Sequence, residues 1–231
     1  MSFAILRNTH EAFRTSIRLQ GEALALGNRA SFRARWHAMQ RALAVHQAME
    51  DTTLFVLLDE VSGGAIGAAG LLDEHDEEAR FAARVEAALA SGSSALLYGT
   101  WAAWREVHLR HLAHEEAVVT PLTMLTAPTA QARGRVVHER ILVPTEHLSD
   151  FDATIAWVVR LLSRYGSTAQ TPHVATRVFA WGLQNACSHA QWRRLRPIVR
   201  RHCAPGVWEA IAGPFGLEGE GAVGDTSAGA A

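Results

Sequence analysis

Apolar side chains recur at three-, four- and seven-residue steps through the first half of the chain, the spacing of one face of a helix. Leu6, Phe13, Ile17, Leu24 and Leu26 follow it in the opening segment. Phe32, Trp36, Met39, Leu43, His46, Glu50 and Leu54 follow it in the next. Stretches rich in helix breakers interrupt the pattern: GNRAS at 27–31, VSGGAIGAAG at 61–70, SGSS at 91–94 and TAPTA at 126–130. They delimit four long helices, over 5–26, 31–59, 71–90 and 95–124. No window shows the alternation of β-branched residues that a sheet requires. Further helices follow over 144–166, 172–203 and 204–213, and from Pro214 the chain turns rich in Gly, Ala and Glu, a composition expected to be disordered. The expected fold is all-α: an up-down four-helix bundle over 1–126, a C-terminal helical extension packed on it over 127–213, and a disordered tail over 214–231.

Polar residues placed on the apolar faces carry the chemistry. An internal repeat at an offset of 65 residues pairs Leu6 with Leu71, Leu24 with Leu89, Gly27 with Gly92 and Trp36 with Trp101. The same offset pairs His10 with His75, His46 with His111, and Glu50 with Glu115. Each half thus holds one histidine near the start of a helix, then His-x3-Glu on the next. Positions i and i+4 share a helical face, so each His-Glu pair forms a two-donor edge turned toward a bundle core. Four imidazoles and two carboxylates buried together need a cation. Imidazole with carboxylate favours Fe, Mn or Zn over Ca or Mg, and six donors exceed one tetrahedral site. Two ions bridged by the glutamates suit the count, with iron first and manganese or zinc as substitutes.

The segments THEAFR, HQAMEDTTLF, EHDEEARF and HLAHEEAVVTPL together resemble the haemerythrin-like, or HHE cation-binding, family over about residues 5–125. The resemblance implies a four-helix bundle holding a non-haem diiron centre, with His10, His46, Glu50, His75, His111 and Glu115 as ligands and the two glutamates bridging. The chain departs from the oxygen-carrying members, which have a second histidine one turn after the third-helix histidine, where this chain has Ala79. Its last pair is His111-x3-Glu115, the bacterial form. A coordination position is then left open unless His114, His108 or Tyr98 fills it, and an open position lets a metal activate a small molecule. The expected function is binding and activation of dioxygen or peroxide, as an oxidase, oxygenase or peroxide scavenger acting with a small-molecule substrate. The alternatives are a module that senses oxygen, nitric oxide or iron without turnover, and a metal-stabilised interaction protein.

Composition narrows the rest. A formal net charge of −1 gives no footprint for nucleic acid or an anionic membrane, and the basic cluster at Arg193, Arg194, Arg196, Arg200 and Arg201 reads as a solvated face. No apolar run approaches the roughly 20 residues of a membrane span, and the first residues lack a signal-peptide core, so a cytoplasmic protein is expected. Cys187 and Cys203 are expected reduced and buried. A zinc site with His202 is disfavoured, because adjacent helical residues point about 100° apart. Trp36 and Trp101 fit core packing, with shielding of the metals or electron carriage as the functional alternative. The acidic run Glu74, Asp76, Glu77 and Glu78 reads as a solvated helix start. No nucleotide fingerprint or nucleophile signature is present, and the oligomeric state is not legible.

Overall fold

The computed structural model describes residues 4–221 and 223. Every regular element among them is helical, apart from an isolated parallel bridge between Ser188 and Val223. No helix among the described residues is long and apolar enough to cross a membrane. The chain divides into two compact units, one of residues 13–125 and one of residues 1–12 and 126–231, so the first helix carries residues of both.

The four long helices of the expected bundle appear as α1 (Ala4–Ala25), α2 (Arg29–Met49) with its continuation, α5 (Leu71–Ser91) and α6 (Ser94–Thr123). After α2 the helix runs through a π-helical turn, Glu50–Leu54, into α3 (Phe55–Ser62), so the segment expected as a single α-helix has a wider turn inserted after Met49. The stretch 61–70 is not all loop. It holds the short helix α4 (Ala65–Ala69), seated by the buried Ile66 and by Asp59 Oδ1, which accepts from the backbone N–H of Ile66 at 2.7 Å.

The 65-residue repeat is visible in the caps. Asn28 and Ser93 stand at equivalent places, and their side chains accept from Ser31 N at 2.9 Å and Leu96 N at 3.2 Å, opening α2 and α6 alike. Just before each cap, Gly27 and Gly92 take positive φ of 66° and 81°, which a residue with a Cβ adopts only with strain. The end of the bundle away from the polar cluster is filled by Phe32, Trp36, Met39, Leu97, Trp101 and Trp104, all buried. Trp101 donates its indole N–H to Gln20 Oε1 at 2.9 Å and packs on Gly21, where a Cβ would come within 3.0 Å of the ring. Leu26 was expected on the apolar face. It lies past the end of α1 and is exposed.

In the C-terminal part, α7 (Ala130–Val137) opens at Thr129, whose hydroxyl accepts from Ala132 N, and leads through a π-helical turn, His138–Leu142, into α8 (Val143–Thr145). The pattern at the sequence level did not include α7. Then follow α9 (Phe151–Tyr165), α10 (Pro172–Ala186), α11 (His189–His202) and α12 (Val207–Ala212). The segment 172–203 is two helices because Ser188 starts a new one: its hydroxyl accepts from Gln191 N, and Gln191 Oε1 accepts from Ser188 N. Helix α9 packs on α10 and α11, and α12 packs on α10, around the buried Phe179, Leu183, Trp192, Val199 and Trp208.

The tail departs from expectation. Residues 214–221 fold into turns anchored by Leu217, which is fully buried and accepts the Trp192 indole N–H at 3.2 Å through its carbonyl. Gln184 Nε2 donates to the carbonyls of Gly216 and Glu220, each at 3.0 Å. Gly221 passes so close to Ser188 O that a Cβ would meet it at 2.5 Å. These backbone contacts order a segment whose composition alone argued against order. The remainder of the expected tail, 222 and 224–231, lies outside the described residues.

Both cysteines are free thiols, Cys187 buried as expected and Cys203 half-buried, and burial pushes each up to about 12. At pH 8 only roughly one ten-thousandth of either is then thiolate. Folded protein at that pH should leave a thiolate-selective colorimetric reagent almost unreacted over minutes, while denaturant should release two reactive thiols. Rapid reaction of either thiol in the folded state would contradict the burial.

Candidate metal centre

The site is assembled from the two His-x3-Glu edges. Helical spacing stacks His46 with Glu50, the first residue of the π turn, and His46 Nε2 lies 3.0 Å from Glu50 Oε1. On α6, His111 Nε2 lies 3.7 Å from Glu115 Oε2. His75 of α5 comes in between: its Nε2 is 3.6 Å from Glu50 Oε2 and 3.1 Å from His111 Nε2. Donor atoms of His10, His46, Glu50 and Glu115 all lie within 4.8 Å of one another. All six residues singled out by the repeat are buried. Glu50 faces an imidazole with each carboxylate oxygen, His46 on one side and His75 on the other.

Neighbouring carboxylates fix how the imidazoles present themselves. His75 Nδ1 lies 2.8 Å from Asp51 Oδ1, and His111 Nδ1 lies 2.8 Å from Glu74 Oε2. A carboxylate only accepts, so Nδ1 holds a proton in each ring and Nε2 is the nitrogen turned to the other imidazole. The two Nε2 atoms lie 3.1 Å apart and repel unless a proton or a cation is shared between them. Burial keeps His111 neutral by lowering its pKa. The nearby His75 reinforces the shift, and it prevails over the opposing pull of Glu78, Glu115 and Glu74.

Glu50 is held well above the usual carboxylate range, first by burial, then by the charge and hydrogen bond of Glu115. The donor set of opposed imidazole lone pairs and adjoining buried carboxyls is what a multivalent cation neutralises. It contains no thiolate, and every donor is nitrogen or oxygen, which fits a transition metal such as iron.

The candidates for a further ligand separate clearly. Tyr98 is exposed, and its ring packs against Trp101 with centroids 6.2 Å apart. His114 is partly exposed and turns its Nδ1 to Glu74 Oε1 at 2.9 Å. Ala79 is also exposed. The inward residue of that turn is Glu78, whose Oε1 holds His108 Nδ1 at 2.8 Å and whose Oε2 accepts from Gln47 at 2.9 Å. His108 is fully buried, and its Nε2 has no hydrogen-bond partner. Burial works to raise the Glu78 pKa, but the His108 charge and hydrogen bond, with His111 and His75, bring it below the ordinary value, so Glu78 is a carboxylate.

Two members of the acidic run are therefore not a solvated helix start. Glu74 and Glu78, one turn apart, both orient histidines of α6. Their i, i+4 spacing on the face that also carries His75 is the sequence signal that marks them. Phe55 stacks on His75 with ring centroids 5.6 Å apart, and Phe13 packs on His46 at 5.1 Å, giving the cluster an aromatic wall.

A family model described as the Hemerythrin HHE cation binding domain matches residues 1–123, more than half of the chain's 231 residues. The chain belongs to this family, and its all-α bundle is haemerythrin-like. Comparison with curated proteins and with solved structures finds no match.

The raised Glu50 pKa gives a signed prediction for the metal-free protein. An acid that binds its proton more tightly folded than unfolded contributes stability fully present below its unfolded pKa of about 4.3, and this is lost as pH rises toward the folded value. Glu50→Gln removes the penalty. Metal-free E50Q should melt higher than metal-free wild type at pH 8, with the gap closing toward pH 4.5 in thermal melts followed by circular dichroism. An equal or lower melting temperature at pH 8 would refute the assignment.

Proposed function

We propose that this chain is a non-haem diiron protein that binds and activates dioxygen or peroxide. The observation that carries the reading is the opposition of His75 and His111 across 3.1 Å, with Glu50 reaching His46 on one side and His75 on the other. In this reading His10, His46, Glu50, His75, His111 and Glu115 would hold the two ions. Such a pair would supply the electrons for reducing dioxygen or peroxide and a positive charge to stabilise the anion that develops.

The chain's own residues supply the setting. Asp51 and Glu74 hold Nδ1 of His75 and of His111, so that each ring turns Nε2 toward the cluster. Glu50 gives up its proton when a cation arrives, so affinity rises with pH. Phe13, Phe55 and Leu112 are buried and exclude water. His108 is a hydrogen-bonding group held in the core: Glu78 holds its Nδ1, and its Nε2, without a protein partner, is left to a small polar ligand.

Protein reconstituted with ferrous iron without air should contain close to two irons per chain by elemental analysis. Glu115→Ala should lower the content to one ion or fewer, while His138→Ala should leave it unchanged. Chelation should lower the melting temperature by several degrees, because a cation that binds only the folded state stabilises it. Unchanged metal content in E115A would remove Glu115 from the site.

Reaction with air separates the enzyme from its rival. The ferrous protein mixed with aerated buffer should consume oxygen irreversibly, develop charge-transfer absorption and turn over when reductant is added. Oxygen bound stoichiometrically and released intact under vacuum, with no turnover on reductant or peroxide, would instead establish a sensor or carrier.

A further inference from the structure

A series of buried aromatic rings runs from the histidine cluster to the bundle surface. The Phe13 ring lies 5.1 Å from that of His46 and 5.5 Å from that of His108. His108 stacks on Trp104 at 5.0 Å with 13° between the planes, and Trp104 meets Trp36 edge-on at 4.7 Å. All these rings are buried. At the outer end, Trp36 donates its indole N–H to Glu86 Oε1 at 2.6 Å, and the Glu86 side chain is 49% exposed.

We propose that Trp104 and Trp36 form a one-electron relay that drains oxidising equivalents from the metal pair to the surface at Glu86. It rests on the redox reading of the centre given above. The three indoles of this region differ in one chemical respect, the fate of the N–H proton. A tryptophan that loses an electron becomes strongly acidic at that nitrogen. The Trp104 N–H is buried without a hydrogen-bond partner, so an electron vacancy there cannot settle by deprotonation. Trp101 donates to the amide oxygen of Gln20, a poor proton acceptor. Trp36 alone of the three donates to a carboxylate, and that carboxylate reaches solvent. An electron vacancy therefore passes through Trp104 and comes to rest on Trp36. Trp104 is seven residues before His111 on α6, roughly 10 Å along the helix axis, with Phe13 and His108 filling the intervening space.

The step balances with peroxide as oxidant. Peroxide would take two electrons from the pair in its ferric state and two protons from solvent as its O–O bond breaks, giving two waters. Trp104 then returns one of those electrons, Trp36 refills Trp104, and the Trp36 indole proton moves to Glu86. The relay is left as a neutral Trp36 radical beside a protonated Glu86. A one-electron reductant of the thiol or ascorbate class restores Trp36 from the surface, Glu86 returns its proton, and a second passage by the same route returns the other electron to the pair. The relay would protect the buried site when peroxide arrives without a substrate to oxidise.

The test mixes the iron-loaded full chain with hydrogen peroxide, freezes it within milliseconds for electron paramagnetic resonance, and maps oxidised residues by peptide mass spectrometry. A neutral tryptophan radical and oxidation concentrated at Trp36 over Trp101 are expected, with neither in the metal-free protein. Trp36→Phe should abolish the Trp36 signal while peroxide consumption continues. Glu86→Gln, a change at a half-exposed side chain that the fold tolerates, should lower the neutral-radical yield at unchanged peroxide consumption. Peroxide consumption with no tryptophan radical, with oxidation equal at Trp36 and Trp101, or with a yield indifferent to both variants overturns the relay and leaves the redox reading standing. No peroxide consumption by the loaded wild type overturns the redox reading itself, and the relay with it.

Discussion

Glu50 and Glu115 meet in the bundle core beyond the reach of water, where a carboxylate without a counter-charge costs several kcal/mol to bury. The surrounding residues answer that cost in two ways. Part of it is deferred by protonation, since Glu50 keeps its proton far above the usual range. The rest is organised for a cation: imidazole lone pairs converge on the carboxyls, and Asp51 and Glu74 stand behind the imidazoles to hold their far nitrogens. A bundle filled only with Leu and Val would be the more stable solution. Keeping this cluster makes sense only if its stability is completed by a bound ion, which couples folding to metal loading.

The sequence shows the six central residues because two independent periodicities coincide there. The 65-residue offset aligns His10, His46 and Glu50 with His75, His111 and Glu115, and helical spacing places each pair on one face. The same offset foretells the matched caps at Asn28 and Ser93. Residues that act from outside the repeat are harder to see. Glu74 and Glu78 lie within a run of acids in which Asp76 is exposed and Glu77 pairs with Arg110, and the packing of α5 on α6 turns inward the pair that shares the face of His75. His108 carries no repeat partner, so its burial is a fact of tertiary packing. The order of residues 214–221 depends on backbone carbonyls and on Gly221 fitting beneath Ser188, neither of which leaves a hydrophobic pattern. Helix α7 leaves little pattern for a similar reason: eight residues containing Gly134 and two arginines give a weak apolar period, and the Thr129 cap starts it.

The repeat also misleads in one instructive respect, because its halves are not equivalent. Met49 is followed by a π turn, while α6 continues as an α-helix past Glu115. The wider turn brings Asp51 against His75, whereas the residue 65 positions later, Glu116, pairs with Arg14 at 2.8 Å. The carboxylate behind His111 comes instead from α5, as Glu74. Both imidazoles of the His75 and His111 side are thus backed by carboxylates drawn from sequence that the duplication does not relate. A carboxylate behind an imidazole makes its other nitrogen a stronger donor. A symmetric sequence motif has in this way been given an asymmetric electrostatic environment, and the source of the asymmetry is local: one widened turn on one side, and one pair of acids a helical turn apart on the other.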